Sequence, residues 1–95
     1  MMRIEFVWSA AKADSNRKKH GVSFEEASSV FYDENALLIR DDMHSVGEER
    51  FIILGRSSKG NILIVVHLYW EAEEVVRIVS ARNATRTEMN QYFSR

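Results

Sequence analysis

Cysteine is absent from the 95 residues. No disulfide framework and no thiolate metal site can form, which argues against a small secreted scaffold. Long hydrophobic runs are absent as well. The longest, Ile62 to His67 and onward to Trp70, is of strand length and far short of the roughly 20 residues that span a bilayer. The opening Met-Met-Arg-Ile-Glu-Phe lacks the basic-then-apolar layout of a signal peptide, so a cytoplasmic location and no membrane partner are expected. There are no repeats, no low-complexity stretch and no linker, and a chain of this length is expected to be one domain over residues 1–95. Hydrophobic residues make up 45% and charged residues 28%, the composition of a folded globular protein.

The net charge of −1 conceals a segregation of signs. Residues 1–24 sum to +3, residues 25–49 to −7 and residues 50–95 to +3. The total does not announce a nucleic-acid binder, because phosphate neutralisation usually shows as a basic protein. A local basic surface beside an acidic one is compatible with these sums, and so is a solvated surface of mixed sign.

Residues 4–8 read as a short strand with Ile4, Phe6 and Trp8 on one face. Ser9 is an N-cap for a helix over Ala10–His20, and Gly21 is its stop. Ser23-Phe24-Glu25-Glu26 has the form of a capping box, with Val22 and Ala27 as a hydrophobic staple. Phe24, Ala27, Val30 and Phe31 then predict a second helix ending near Tyr32. Residues 36–40 read as a strand and residues 41–47 as a polar loop. Arg50–Arg56, residues 61–70 and residues 74–82 form three strands joined by turns at Ser57-Ser58-Lys59-Gly60 and at residues 71–73. Thr85-Arg86-Thr87-Glu88 is a second capping box, with Ala84 and Met89 as staple, and Met89, Tyr92 and Phe93 stripe a last helix. The expected class is α+β, in the order β-α-α-β-β-β-β-α, with an antiparallel sheet and helices on one face.

Side chains alternate across a strand, so the middle strand divides into two faces. Ile62, Ile64, Val66, Leu68 and Trp70 share an all-apolar face, expected to pack under the helices with Phe24, Phe31 and Met89 among its neighbours. If both hairpins have two-residue turns, the opposite face gathers Arg50, Arg56, His67, Tyr69, Ser80 and Arg82, and Arg77 falls on the core side. A slip of one residue would move a flanking strand's set to the other face.

Arginines and a histidine on an open sheet face suit a phosphodiester. The planar guanidinium offers fixed donors to phosphate oxygens at any working pH. Histidine can take or give a proton near neutrality. RNA needs no metal for strand scission, because its own 2′-hydroxyl is the nucleophile; the site supplies a base, cations and an acid. Arginine on an exposed strand face and a packed, hydrogen-bonded histidine are the bland alternatives. His20, His44 and His67 lie far apart in sequence, with no metal-ligand spacing, so neither metal nor cofactor is expected. Asp41-Asp42-Met43-His44 reads as a solvated loop, and Lys59-Gly60 lacks the context of a phosphate loop. Arg17-Lys18-Lys19-His20 suits the dipole at a helix C-terminus.

Three blocks in order, Lys19-His20-Gly21-Val22-Ser23-Phe24-Glu25-Glu26-Ala27, Gly47-Glu48-Glu49-Arg50-Phe51 and Ile78-Val79-Ser80-Ala81-Arg82-Asn83-Ala84-Thr85-Arg86, resemble the BrnT toxin family. The Phe-x-Trp before the first helix matches too. The resemblance implies a RelE-like fold and an endoribonuclease toxin of a type II toxin–antitoxin system. It further implies neutralisation by a DNA-binding, BrnA-like antitoxin in a hetero-oligomer that meets operator DNA only through the antitoxin. It puts weight on Arg50 and Arg82, and less on Arg86. By analogy with related toxins, His67, Glu48 and Tyr92 could share the remaining roles. Asn83 stands where the family more usually has lysine, which removes one cation. The expected site is therefore Arg50, Arg56 and Arg82 around the phosphate, His67 for proton transfer, and Glu48 or Glu49 as a weaker candidate base. The alternative is a non-catalytic module that only joins its partner in a repressor complex. A direct DNA reader is disfavoured, since no reader motif is present.

Overall fold

The computed structural model describes residues 3–94. The chain runs through β1 (Glu5–Val7), α1 (Ala10–His20), α2 (Phe24–Ser29), β2 (Leu37–Arg40), β3 (Arg50–Arg56), β4 (Ile62–Trp70), β5 (Val75–Asn83) and α3 (Arg86–Phe93), in the predicted order. Each helix starts on a predicted cap: Ser9, Ser23 and Thr85 accept from the backbone N–H groups of Lys12, Glu26 and Glu88. Only Thr85 completes a full box, because the Glu88 carboxylate returns to the Thr85 N–H. Glu26 turns away and accepts instead from the Ser57 hydroxyl at 2.7 Å and the Asn61 amide at 2.9 Å, tying α2 to the β3–β4 turn. Gly21, at φ +71, ends α1 in the left-handed conformation that glycine adopts without steric cost. The second helix tightens into a 3-10 turn over Val30–Tyr32.

The single buried residue of α1 is polar. Asn16 donates to the carbonyls of Val22 (3.0 Å) and Ala81 (2.8 Å), and its Oδ1 accepts from the Ala81 N–H at 3.0 Å. Asn16→Ala is expected to cost about 3 kcal/mol, because buried backbone groups lose their partners. A lower urea midpoint at unchanged slope would show it.

The sheet has five strands in the order β1-β5-β4-β3-β2. It is mixed: β1 runs parallel to β5, and the other pairs are antiparallel. The expectation of an antiparallel sheet is thus corrected at β1, which reaches β5 through the whole intervening chain and needs no hairpin. The expectation of helices on one face is corrected as well. Val22, Phe24, Ala27 and Val30 pack on Ile53, Leu63, Val65, Val76, Ile78 and Ala81. On the opposite face Tyr92 of α3 packs on Leu54, Ile62 and Ile64. Phe24 and Phe31 therefore belong with Leu63 and Val65 and not with Ile62 and Ile64, and Met89 is 37% exposed. Ile64 stays buried because α3 supplies a second, smaller core.

Register follows from the turns. At β3–β4 the Ser57 N–H donates to the Asn61 carbonyl, leaving a three-residue loop that ends on Gly60 at φ +85. The predicted two-residue turn is one residue too short, so His67 lies opposite Phe51 and Arg50 opposite Leu68. At β4–β5 the expected register holds from Trp70↔Val75 to His67↔Ile78; a bulge then leaves Val79 unpaired, and Val66 meets Ser80. No helix among the described residues is long and apolar enough to cross a membrane.

Candidate functional site

Alternation from the observed register puts Arg50 and Arg56 of β3, and Arg77, Ser80 and Arg82 of β5, on the face that also carries Ile62, Ile64, Val66 and Leu68. The three predicted arginines do share a face, but it is the face of α3. Arg77, expected on the core side, joins them, because the face of Ile62 to Leu68 is not the one under α1 and α2. Arg50 and Arg77 flank Leu68 from either side, so their Cα atoms are two strand spacings, about 10 Å, apart. Neither makes an ion pair among the described residues. Trp70, 40% exposed, lies on the same face beyond Leu68.

Towards α3 the arginines are engaged. Arg82 forms a fork with Glu88, Nη1 to Oε1 at 2.8 Å and Nη2 to Oε2 at 2.9 Å, and reaches the Asn83 carbonyl at 3.3 Å. Three of its five donors are thereby used. The fork holds the Glu88 carboxyl down to about 2 and raises Arg82 further. Arg56 lies over the Phe93 ring at 5.6 Å. Its backbone N–H donates to Asp33 Oδ2 at 2.7 Å, and the same oxygen accepts from the Tyr92 hydroxyl at 2.6 Å. Burial pushes the Asp33 carboxyl up, but donation from Arg56, Tyr92 and Asn35 outweighs it and leaves the group below its ordinary range. Tyr92 is raised by burial and by the Asp33 carboxylate. Asp33, which reads in the sequence as a turn residue, is thus the acceptor that fixes α3 on β3.

His67 is not at this face. It is 2% exposed on the α1–α2 side, edge-on to Phe31 at 4.7 Å and stacked on Phe51 at 6.0 Å. Burial pushes its imidazole down to about 4, against a weaker opposing pull from the Val65 carbonyl. It floors an apolar cleft of about 270 Å³ bounded by Leu38, Phe51 and Tyr69. A proton-transfer role beside the arginines is therefore withdrawn: the one-residue slip at β3 moves Arg50 and Arg56 to the other face, the bulge at Val79 moves Arg82 there, and helices cover the face where His67 points. Glu48 and Glu49 are exposed in the loop that enters β3. Among the described residues no three of His, Asp and Glu converge as metal ligands.

The model of a family described as the ribonuclease toxin BrnT of type II toxin–antitoxin systems matches residues 8–88. The chain belongs to the BrnT family. The crystal structure of the Brucella abortus ribonuclease toxin BrnT is similar in fold, with a TM-score of 0.66 at 19% identity, covering 88% of this chain and 100% of that one. No curated protein sequence matches the chain. The BrnT family match spans β2 to β5, so both arginine-bearing strands lie inside it. As a BrnT family member the chain is a toxin of the ribonuclease class, and a type II system implies an antitoxin partner.

Proposed function

We propose that this BrnT family member cleaves RNA without a metal ion on the face that carries Arg50, Arg77 and Arg82. The observation that supports this reading is the pair Arg50 and Arg77, cations on either side of Leu68 that make no ion pair among the described residues. The 2′-hydroxyl oxygen attacks the adjacent phosphorus and forms the 2′,3′-cyclic phosphate. The bond to the 5′-oxygen breaks, and that oxygen leaves as a hydroxyl after taking a proton from solvent water. Charge builds on the non-bridging oxygens during attack, where Arg50 and Arg77 stabilise it most. Glu48, exposed two residues before Arg50, accepts the 2′-hydroxyl proton. Arg82, oriented by Glu88, offers its remaining donors further along the strand. The toxin acts in the cytoplasm, and its antitoxin neutralises it and carries any contact with operator DNA.

The deciding experiment is purified protein with end-labelled RNA in excess chelator. Cyclic phosphate and 5′-hydroxyl ends are expected. Cleavage that appears only on adding a divalent cation would overturn metal independence, and no cleavage under either condition would favour a binding role.

A further inference from the structure

The two edges of the sheet are β1 and β2. β1 has three residues and leads at once into α1. β2 is different. Its sequence Leu-Leu-Ile-Arg contains no proline and no lysine, and Leu38 and Ile39 are 60% and 59% exposed. Edge strands are normally blunted by such residues, by bulges or by a covering loop. The Asp41 N–H donates to the Arg50 carbonyl at 2.7 Å, so Ile39 and Leu37 also turn their backbone groups towards β3 by alternation. The N–H and C=O of Leu38 and Arg40 consequently point outward.

A groove lies on each side of this edge. Leu38 borders the cleft of about 270 Å³ on the α1–α2 side. Leu37 and Ile39 border a second groove of about 170 Å³ on the α3 side, where Ile52, Leu54 and Ile64 make an apolar wall and Arg82, Glu88 and Gln91 a polar one. An added strand has side chains that alternate between faces, so successive residues would enter one groove and then the other. Charge decides among occupants. The edge sits inside the −7 segment, with Asp33 and Glu34 before it and Asp41, Asp42, Glu48 and Glu49 after it. A second copy paired edge to edge would set these carboxylates against themselves, whereas an extended segment flanked by lysine or arginine would be attracted.

We infer that β2 is the docking strand for an extended, basic-flanked segment with alternating apolar side chains, contributed by the antitoxin. The assignment rests on the antitoxin being this chain's partner. Hydrogen exchange compares the free chain with the chain saturated by the antitoxin of its own operon. The Leu38 and Arg40 amides are expected to exchange at least about 100-fold more slowly in the complex, as strand amides do once paired. Leu38→Pro removes an N–H that points away from β3, together with a leucine side chain that is 60% exposed, so the fold tolerates it while strand addition is blocked. Affinity for the antitoxin is expected to fall at least about 10-fold. Protection confined to other surfaces, or full affinity of Leu38→Pro, would overturn the edge while leaving the partnership standing. Self-association of the free chain that protects the same amides would replace the antitoxin by a second copy. Failure of toxin and antitoxin to form any complex would overturn the partnership and the edge together.

Discussion

Replacing Arg50 or Arg77 by alanine is expected to slow RNA cleavage by about 30- to 1,000-fold, the 2–4 kcal/mol typical of a donor that acts mainly in the transition state. The two guanidiniums rise from strands on either side of Leu68, and no carboxylate neutralises them among the described residues. The loss should fall on kcat more than on KM, since the charge they meet is greatest on the pentacovalent phosphorus. Lysine at either position keeps the charge and loses the planar fork, and should recover only part of the rate. Arg17→Ala serves as the control. Arg17 is on α1 and makes only an exposed contact with Asp14, so its removal leaves both fold and rate unchanged. Circular dichroism checks that each variant is folded. Full activity in Arg50→Ala and Arg77→Ala would move the site to the other end of the face, where Arg56, Tyr92 and Asp33 are next to be tested.

Elements were more legible in the sequence than faces. Caps at Ser9, Ser23 and Thr85, the stop at Gly21 and the alternation of β4 are local signals, and local chemistry carries them intact into the structure. The face assignment depended on two turn lengths. A β-strand has a period of two, so one extra residue in the Ser57–Gly60 turn transfers every side chain of β3 to the other side of the sheet. Gly60 was the available clue, because a glycine in the last position of a three-residue loop is as familiar as one in a two-residue turn. The bulge at Val79 left no such mark. It keeps Ile78 and Ala81 in the same core although they are three apart, and it brings Arg82 to the face of Arg77.

The all-apolar run Ile62, Ile64, Val66 and Leu68 misled for a different reason. Its alternation predicts the one core face, yet Leu63 and Val65 are the residues fully buried under α1 and α2. The run is apolar because α3 needs a floor for Tyr92, and at its outer end Leu68 lies between Arg50 and Arg77, whose aliphatic stems suit an apolar neighbour. The short stripe of α3 implied such a floor. Tyr92 and Phe93 had to meet something, and a strand with two apolar faces provides for helices on both sides. The β2 edge was not visible as a docking element, because edge position is a property of strand order.

Acid should destabilise the protein in a window that belongs to His67. Its imidazole is held down to about 4 by burial, below the 6.5 of an unfolded histidine. A depressed histidine favours the folded state fully above pH 6.5. As pH falls from there, the unfolded chain takes up a proton that the folded chain refuses, and stability declines until folded His67 titrates near 4. The difference corresponds to about 3 kcal/mol. Glu88 works in a separate window. Its carboxyl is held down to about 2 by the Arg82 fork, so its stabilisation persists until the pH falls below its ordinary value of 4.5. Its share is smaller than the shift would imply, since solvent reaches the pair and screens it. The substitution that isolates the histidine is His67→Phe. Phenylalanine preserves the aromatic contacts with Phe31 and Phe51 and gives up only the long contact to the Val65 carbonyl at 3.3 Å. Urea melts at half-unit steps from pH 7.5 to 4 should show the wild type losing stability steadily while His67→Phe stays nearly flat above pH 5. RNA cleavage measured near neutral pH should survive the substitution, since His67 lies on the far side of the sheet from Arg50 and Arg77. A folded His67→Phe protein without activity would return the histidine to the chemistry and count against the arginine face as the whole site.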